Sequence, residues 1–404
     1  MAAPTEQIDH GPPAPQEEEG GGDRATRRLL WFVLALLVVG AITLLGLLIW
    51  LLRPSPAAAP TAQGGYPIEV VTTIYGYGTE PGEVVRTPLG VAFYDAGNVW
   101  ISNTGQSRVE EYTSDGGYIR TVGEEEGEGK LYAPYGIAVD TAGGKVYVAD
   151  YAGRAVQVYS TEGGFVDHFP ADDQKLDVFG PDGFSPYDVE LVGGRIVVAS
   201  NDGLYFFDDS GHVVARWGAT FKGKNVRGVD IGMFNFPDAI AADPETGRIY
   251  VADTLNRRIV ALGADGKWLW VSGVPDARGR IQGFWQLPRG MQVGPDGNLY
   301  VVDTFRYSAK GMGEGHLVVL SPEGELLSLF GRSGPTDGSF NFPEQLAAGP
   351  DGLWAVADRE NHRVVIFRLL TPYPEPGNLE APKYEGMVQR PQNVRATPPP
   401  EPAG

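Results

Sequence analysis

The chain has 404 residues, a net charge of −19, 56 glycines, 32 prolines and no cysteine. Without cysteine there are no disulfides, no thiolate zinc or iron–sulfur sites, no c-type haem attachment and no cysteine nucleophile. That much glycine and proline suits many turns between short strands, plus Pro-rich tails.

Residues 1–28 are rich in Pro, Gly, Ala and Glu and read as a disordered tail. Leu29 to Leu52 follows, an apolar run of 24 residues without a charge. A helix of that length spans about 36 Å, enough for a hydrocarbon core of about 30 Å. Trp31 and Trp50 stand near its ends, where indole favours the membrane interface. Arg24, Arg27 and Arg28 precede the run and Arg53 alone follows it, which places the N-terminus in the cytosol and the bulk of the chain outside. The apolar region of a cleaved signal peptide is about 7–15 residues, so 29–52 reads as an uncleaved transmembrane signal-anchor. Residues 53–65 form a Pro/Ala/Gly linker.

From 66 to 370 the chain repeats itself. The clearest copy is Phe236 to Leu262. It has a proline-led apolar run, a turn at 243–247, the run Ile249–Asp253, a turn at 254–256 and a third run at 259–262. Short runs of strand formers separated by turn residues predict antiparallel strands, and nothing in them has a helical period. Opening prolines recur at Pro88, Pro134, Pro186, Pro237, Pro288 and Pro343, between 46 and 55 residues apart. A fourth strand follows most copies, as at 118–122, 213–217 and 326–330. Four short strands per unit make a propeller blade, so the fold class is all-β, a six-bladed β-propeller preceded by one transmembrane helix. The sixth copy lacks its fourth strand, because Pro372, Pro374 and Pro376 interrupt the chain. Residues 68–75 form an orphan strand ahead of the first copy. They are expected to pair beside 363–369 and close the ring. Residues 371–404 read as a Pro-rich, loosely draped tail.

The repeated pattern is P-x-G-(I/V)-A, then D, then (V/I)-(Y/W)-(V/I)-(A/S)-(D/N)-(T/Y), then N-x-R-(V/I). It is clearest at Pro237–Ile259 and Pro343–Val364. It resembles the NHL-repeat family of six-bladed propellers, of a membrane-anchored bacterial type, over 66–370. The resemblance implies a binding platform, a sensor ectodomain or, less commonly, an enzyme. Amidating lyases on this fold hold zinc through histidines, and no converging histidine set is visible among His10, His168, His212, His316 and His362. Gluconolactonase-like propellers use a Glu/Asn/Asp metal site, an option that Asp188, Asp238 and Glu344 keep open.

The Asp ending each second strand and the Arg opening the third are expected to form a salt bridge that pins the turn of every blade. Sites are better sought where copies differ. The residue after each proline should line one mouth of the central channel: Leu89, Tyr135, Tyr187, Asp238, Arg289 and Glu344, with Asp188 and Gln345 one position on. Such a funnel could hold a small polar ligand or a cation, or could satisfy its own charges around a wet channel. The fifth copy carries a long Gly-rich loop after Asp303, whose Phe305, Arg306 and Tyr307 are candidate partner anchors. No cofactor and no catalytic set is identified. The expected role is an extracytoplasmic scaffold or sensor-like ectodomain for a protein or small polar ligand. A metal-assisted hydrolase or lyase is the alternative. The acidic charge argues against nucleic acid.

Overall fold

A computed structural model of the chain describes residues 68–94, 97–179, 182–221, 224–273, 284–304 and 314–370, with shorter pieces at 29–35, 37, 40, 307–308, 311–312 and 388–391. Contacts divide the chain into two units, Met1–Thr61 and Ala62–Gly404. In the first unit residues 29–35 are helical, with Leu29, Trp31 and Phe32 exposed. The rest of the expected 29–52 helix lies almost wholly outside the described residues. Among the described residues no helix is long and apolar enough to cross a membrane.

The second unit is a ring of six antiparallel sheets. Blade 1 runs from Val91 to Val122, blade 2 from Pro134 to Phe169, blade 3 from Asp188 to Trp217, blade 4 from Pro237 to Ser272 and blade 5 from Pro288 to Arg332. Blade 6 takes three strands from Pro343 to Leu369, and its fourth is Ile68–Ile74. The pairing of Ile68 with Leu369 and of Ile74 with Val364 joins the two ends of the propeller. The orphan strand therefore closes the ring, as the sequence predicts.

Each blade is pressed between two others, so its inner strands bury both faces. Ile249–Asp253 and Leu353–Asp358 are buried at every residue. Continuous runs of Val, Ile, Ala and Tyr suit that environment better than alternation would. Six apolar clusters fill the six gaps between consecutive blades, the last of them joining Ile74, Val364 and Ile366 to Val91, Val99 and Ile101. The first strands of successive blades touch in cyclic order around the central channel.

A buried carboxylate organises the turn of blade 4. Asp253 accepts from the Asn235 backbone N–H (2.7 Å), from Arg258 Nε (2.7 Å) and from Asn256 Nδ2 (2.8 Å). Arg258 then donates to the Val229 and Met233 carbonyls, both at 2.6 Å, and so fixes the loop that leads into the blade. Blade 6 repeats this with Asp358, Asn341, Asn361 and Arg363, the arginine donating to the Ser339 carbonyl at 2.9 Å. The expected salt bridge in every blade is corrected at three others. In blade 1 Asn103 replaces the Asp, and Arg108 turns to Glu110 instead (2.6 Å). In blade 2 the position paired with Asp150 is Ala155, so no arginine is available. In blade 3 Ser200 stands at the Asp position and pairs with Gly203. A second contact links blades: Thr104, Thr254 and Thr304 donate to the carbonyls of Pro134, Pro288 and Pro343, each the opening proline of the next blade.

The tail is more ordered at one point than its composition suggests. Val388–Gln389 adds a fifth strand to the outer edge of blade 4, pairing with Val271 and Ser272. Backbone pairing on an open edge needs little from the side chains, which is why composition did not signal it.

Ring closure through residues 68–74 predicts a sharp difference between two shortened chains. One that begins at Ala62 melts cooperatively as a monomer. One that begins at Tyr77 leaves blade 6 with an open edge and elutes as aggregate on size-exclusion chromatography. Equal cooperative melting of both would contradict the closure.

Candidate functional site

The first strand of each blade starts at the channel, and the turn between second and third strands meets it on the same face. The residues after the six prolines therefore converge. Leu89, Tyr135, Tyr187, Asp238, Arg289 and Glu344 line one narrow cavity of about 30 Å³, room for a very few waters. Asp188 and Gln345 belong to its wall as well.

The next position explains why the cavity is small. A Cβ on Gly136 would lie 2.0 Å from Asp188 Oδ1, and one on Gly290 would lie 2.4 Å from Gln345 Cα. Neighbouring blades approach so closely there that a side chain must either be absent or cross the channel. Asp188 and Gln345 cross it. Gln345 Nε2 donates to Asp188 Oδ1 at 3.0 Å, linking blade 6 to blade 3, the blade opposite. Gln345 Oε1 accepts from the Val91 N–H (3.0 Å), and Asp188 Oδ2 accepts from the Ile240 N–H (2.9 Å). Four blades are thus tied through one strut. Burial pushes the Asp188 carboxyl well above the usual carboxylate range, against the hydrogen bond it accepts from Ile240. Asp188 and Gln345 form the floor of the mouth, with their polar atoms already engaged.

Above the floor the mouth has two halves. One is charged. Arg289 Nη1 lies 2.6 Å from Asp238 Oδ2 and 3.0 Å from Glu344 Oε2, and Arg359 Nη1 lies 2.9 Å from Glu344 Oε1. Within the mouth two acids face two arginines and offset them, with Arg359 Nε also reaching Glu360 at 3.3 Å. Burial raises the Asp238 and Glu344 carboxyls, and Arg289 opposes that rise in both. Burial works against the charge on Arg289 too, but the two carboxylates outweigh it and hold the guanidinium protonated. Arg289 Nε is buried without a hydrogen-bond partner.

The other half is aromatic. Tyr135 stacks on Tyr151 with ring centroids 5.1 Å apart and planes 19° apart, and Tyr151 packs on Tyr187 at 5.2 Å. Phe236 meets Tyr187 edge-on at 6.0 Å, and the Arg227 guanidinium lies 4.6 Å over Phe236. Burial raises the Tyr135 and Tyr187 hydroxyls above their ordinary value, so both stay protonated, the Tyr187 hydroxyl being hydrogen-bonded to that of Tyr151.

The expected residues of the mouth are thus brought together. Phe305 and Arg306 lie outside the described residues. Tyr307 opens a two-residue strand, Tyr307–Ser308, paired with Gly311–Met312. Tyr151 and Arg359 were not among the expected residues, although a signal was present. Both follow the Asp that ends a second strand, a place held by Thr104, Thr254 and Thr304 in blades 1, 4 and 5. The same rule of seeking differences between copies, applied to that column, finds them.

The donor set fits a bare cation poorly. Asp238 and Glu344 already share a guanidinium, and Asp188 is engaged by an amide and a backbone N–H. Among the described residues no group of three His, Asp or Glu is placed to hold a metal ion. His168, His212 and His362 are dispersed. The first two pair with Asp172 and Asp173, and His362 Nδ1 accepts from the Thr87 N–H.

Residues 340–367, which span the last clamp, match the family model of the NHL repeat. The chain is a six-bladed propeller with an NHL repeat. Over 339 residues it is 24% identical to the peptidylglycine alpha-amidating monooxygenase of Rattus norvegicus, a match covering 77% of this chain and 33% of that protein. The chain therefore spans about a third of the length of this curated relative. Among solved structures, a protein of unknown function from Bacteroides thetaiotaomicron superposes with a TM-score of 0.51 at 16% identity, over 74% of this chain and 75% of the other. Virginiamycin B lyase from Staphylococcus aureus superposes with a TM-score of 0.47 at 15% identity, over 72% and 82%. At such identities the likeness concerns the fold alone.

The charged half of the mouth makes a pH-dependent prediction. Arg289→Gln leaves Asp238 and Glu344 buried without their shared cation, a loss of about 3–5 kcal/mol at neutral pH. Both acids already have raised folded-state values, and the substitution raises them further. A raised carboxyl binds more proton in the folded state, so its contribution to stability falls as pH rises from about 4, the ordinary carboxylate value. Thermal melts should show a small deficit at pH 4 that grows toward pH 7. A deficit independent of pH would contradict the assignment.

Proposed function

We propose that this protein is a binding scaffold, a propeller held at a membrane by residues 29–52 and displayed outside the cytosol, which takes a protein segment or small polar ligand at its channel mouth. The observation that carries the reading is the division of the mouth. Its charged half is paired from within, whereas its aromatic half is a half-exposed wall of three tyrosines with hydroxyl donors. Stacked tyrosines give contact area at low entropic cost, and they orient acceptors such as carbonyls, carboxylates or sugar hydroxyls. A nucleophile with an adjacent base is not part of this arrangement.

The anchor rests on the uncharged run of 24 residues, on the arginines ahead of it, and on the helical start at 29–35 with its apolar side chains exposed. Its orientation puts the acidic propeller outside the cytosol, away from nucleic acid. The second reading, a metal-assisted hydrolase or lyase working at the mouth, draws support from the name of the curated relative, an amidating monooxygenase. It requires Asp238 and Glu344 to exchange Arg289 for a metal.

Purification of the full chain from its own membranes, followed by mass spectrometry, separates the readings. Scaffolding predicts a partner that is lost from Tyr135→Ala/Tyr187→Ala, while the melting temperature stays within about 5 °C of the parent. Undiminished recovery with the double variant would contradict the mouth as the binding surface. A rise in melting temperature on adding calcium or zinc, abolished by Glu344→Gln, would favour the enzyme.

A further inference from the structure

A second cavity, of about 510 Å³, opens at the rim of blade 2, between the loop 127–132 and the outer strands of that blade. Its origin lies in the clamp. Register makes Asp150, Gly153 and Ala155 the counterparts of Asp253, Asn256 and Arg258 in blade 4 and of Asp358, Asn361 and Arg363 in blade 6. In those blades the arginine and asparagine fill the space between the turn and the entering loop. In blade 2 they are replaced by alanine and glycine, and both Gly153 and Ala155 line the cavity. The loop over it is still held. Asp150 accepts from the Tyr132, Ala133 and Gly153 N–H groups at 3.1, 2.7 and 3.2 Å. Its carboxylate therefore keeps its buried place but lacks the two side-chain donors that Asp253 and Asp358 receive.

We propose that this cavity is a socket for the guanidinium of an arginine side chain presented by a partner polypeptide, which takes the place held by Arg258 and Arg363 in the complete blades. Three observations bear on the chemistry. A Cβ on Gly153 would lie 2.2 Å from Asp150 Oδ2, so that oxygen sits directly behind the cavity wall. Gln157, cross-strand from His168, lines the cavity, and its Oε1 is a buried acceptor without a partner. Such an orphan acceptor has a cost that a planar N–H donor removes. The two basic groups of the wall are already paired, Lys130 with the Glu124 carbonyl (2.6 Å) and Glu126 (3.4 Å), and His168 with Asp172 (3.3 Å). Glu128 and Asp167 add negative charge at the rim. Guanidinium suits the site better than ammonium, since its planar fork can meet more than one acceptor at once and it is more weakly hydrated. This site lies on different residues from the channel mouth and does not depend on the function proposed for it.

The test uses N-acetyl-arginine amide as probe, with the lysine and citrulline analogues as controls, on the full chain by ligand-observed NMR and calorimetry. The arginine probe should bind, the lysine probe at least about tenfold more weakly, and the uncharged citrulline probe undetectably. Ala155→Arg, which supplies the missing side chain from within, should abolish binding and raise the melting temperature. Gln157→Leu, which keeps the volume and removes the acceptor, should weaken binding several-fold even if the arginine variant fails to fold. The proposal is overturned if the arginine probe does not bind at about 10 mM, if it binds no better than the lysine probe, or if a folded Ala155→Arg or Gln157→Leu variant binds it as the parent does.

Discussion

The interaction on which the propeller depends is a buried carboxylate at the end of a second strand. Asp253 receives a backbone N–H from the loop that enters its blade, a guanidinium from the strand that follows, and an amide from the turn between. A carboxylate removed from water in this way needs hydrogen-bond donors around it. The arrangement couples three pieces of chain that hydrophobic packing alone would leave free to slide. The threonine that follows the Asp then reaches the opening proline of the next blade, so a local clamp becomes a link around the ring. Burial raises the Asp253 and Asp358 carboxyls, with their arginines opposing the rise.

Repetition fixes where such a protein can carry function. Where the clamp is whole, as in blades 4 and 6, its groups are consumed by the fold. Chemistry is left to the positions that differ. At the mouth those are the residues after each proline and after each clamp aspartate, and they divide into a self-paired ionic half and a tyrosine wall. At the rim of blade 2 the difference is a deletion: two clamp side chains are gone, and a cavity stands in their place. Both places follow from one comparison of six copies.

Much of this was legible in the sequence. The prolines gave the period, and the runs of Val, Ile and Tyr between turn residues gave the strands. The complementary deficits at residues 68–75 and after Leu370 gave the closure. The residues lining the mouth followed from their offset after each proline. Other features were hidden, for physical reasons. The strut from Gln345 to Asp188 joins opposite blades, and residues 157 apart in sequence leave no local trace of their pairing. The internal neutralisation of Arg289 depends on side-chain reach, which spacing does not encode. The tail strand Val388–Gln389 pairs through its backbone, to which composition is blind. The clamp itself was read too uniformly. The Asp and the Arg do not occur together in every copy: blade 1 has Asn103 with Arg108, blade 2 has Asp150 with Ala155, and blade 3 has Ser200 with Gly203.

Native-state hydrogen exchange tests the clamp most directly. The amides of Asn235 and Asn341 lie in irregular loops at the surface end of the blades, yet each donates to a buried aspartate, at 2.7 and 2.6 Å. If those carboxylates hold the propeller together, both amides exchange only with global unfolding, as slowly as the second strands at 249–253 and 353–358. Exchange of Asn235 and Asn341 at the rate of open loops, while those strands stay protected, would contradict the account.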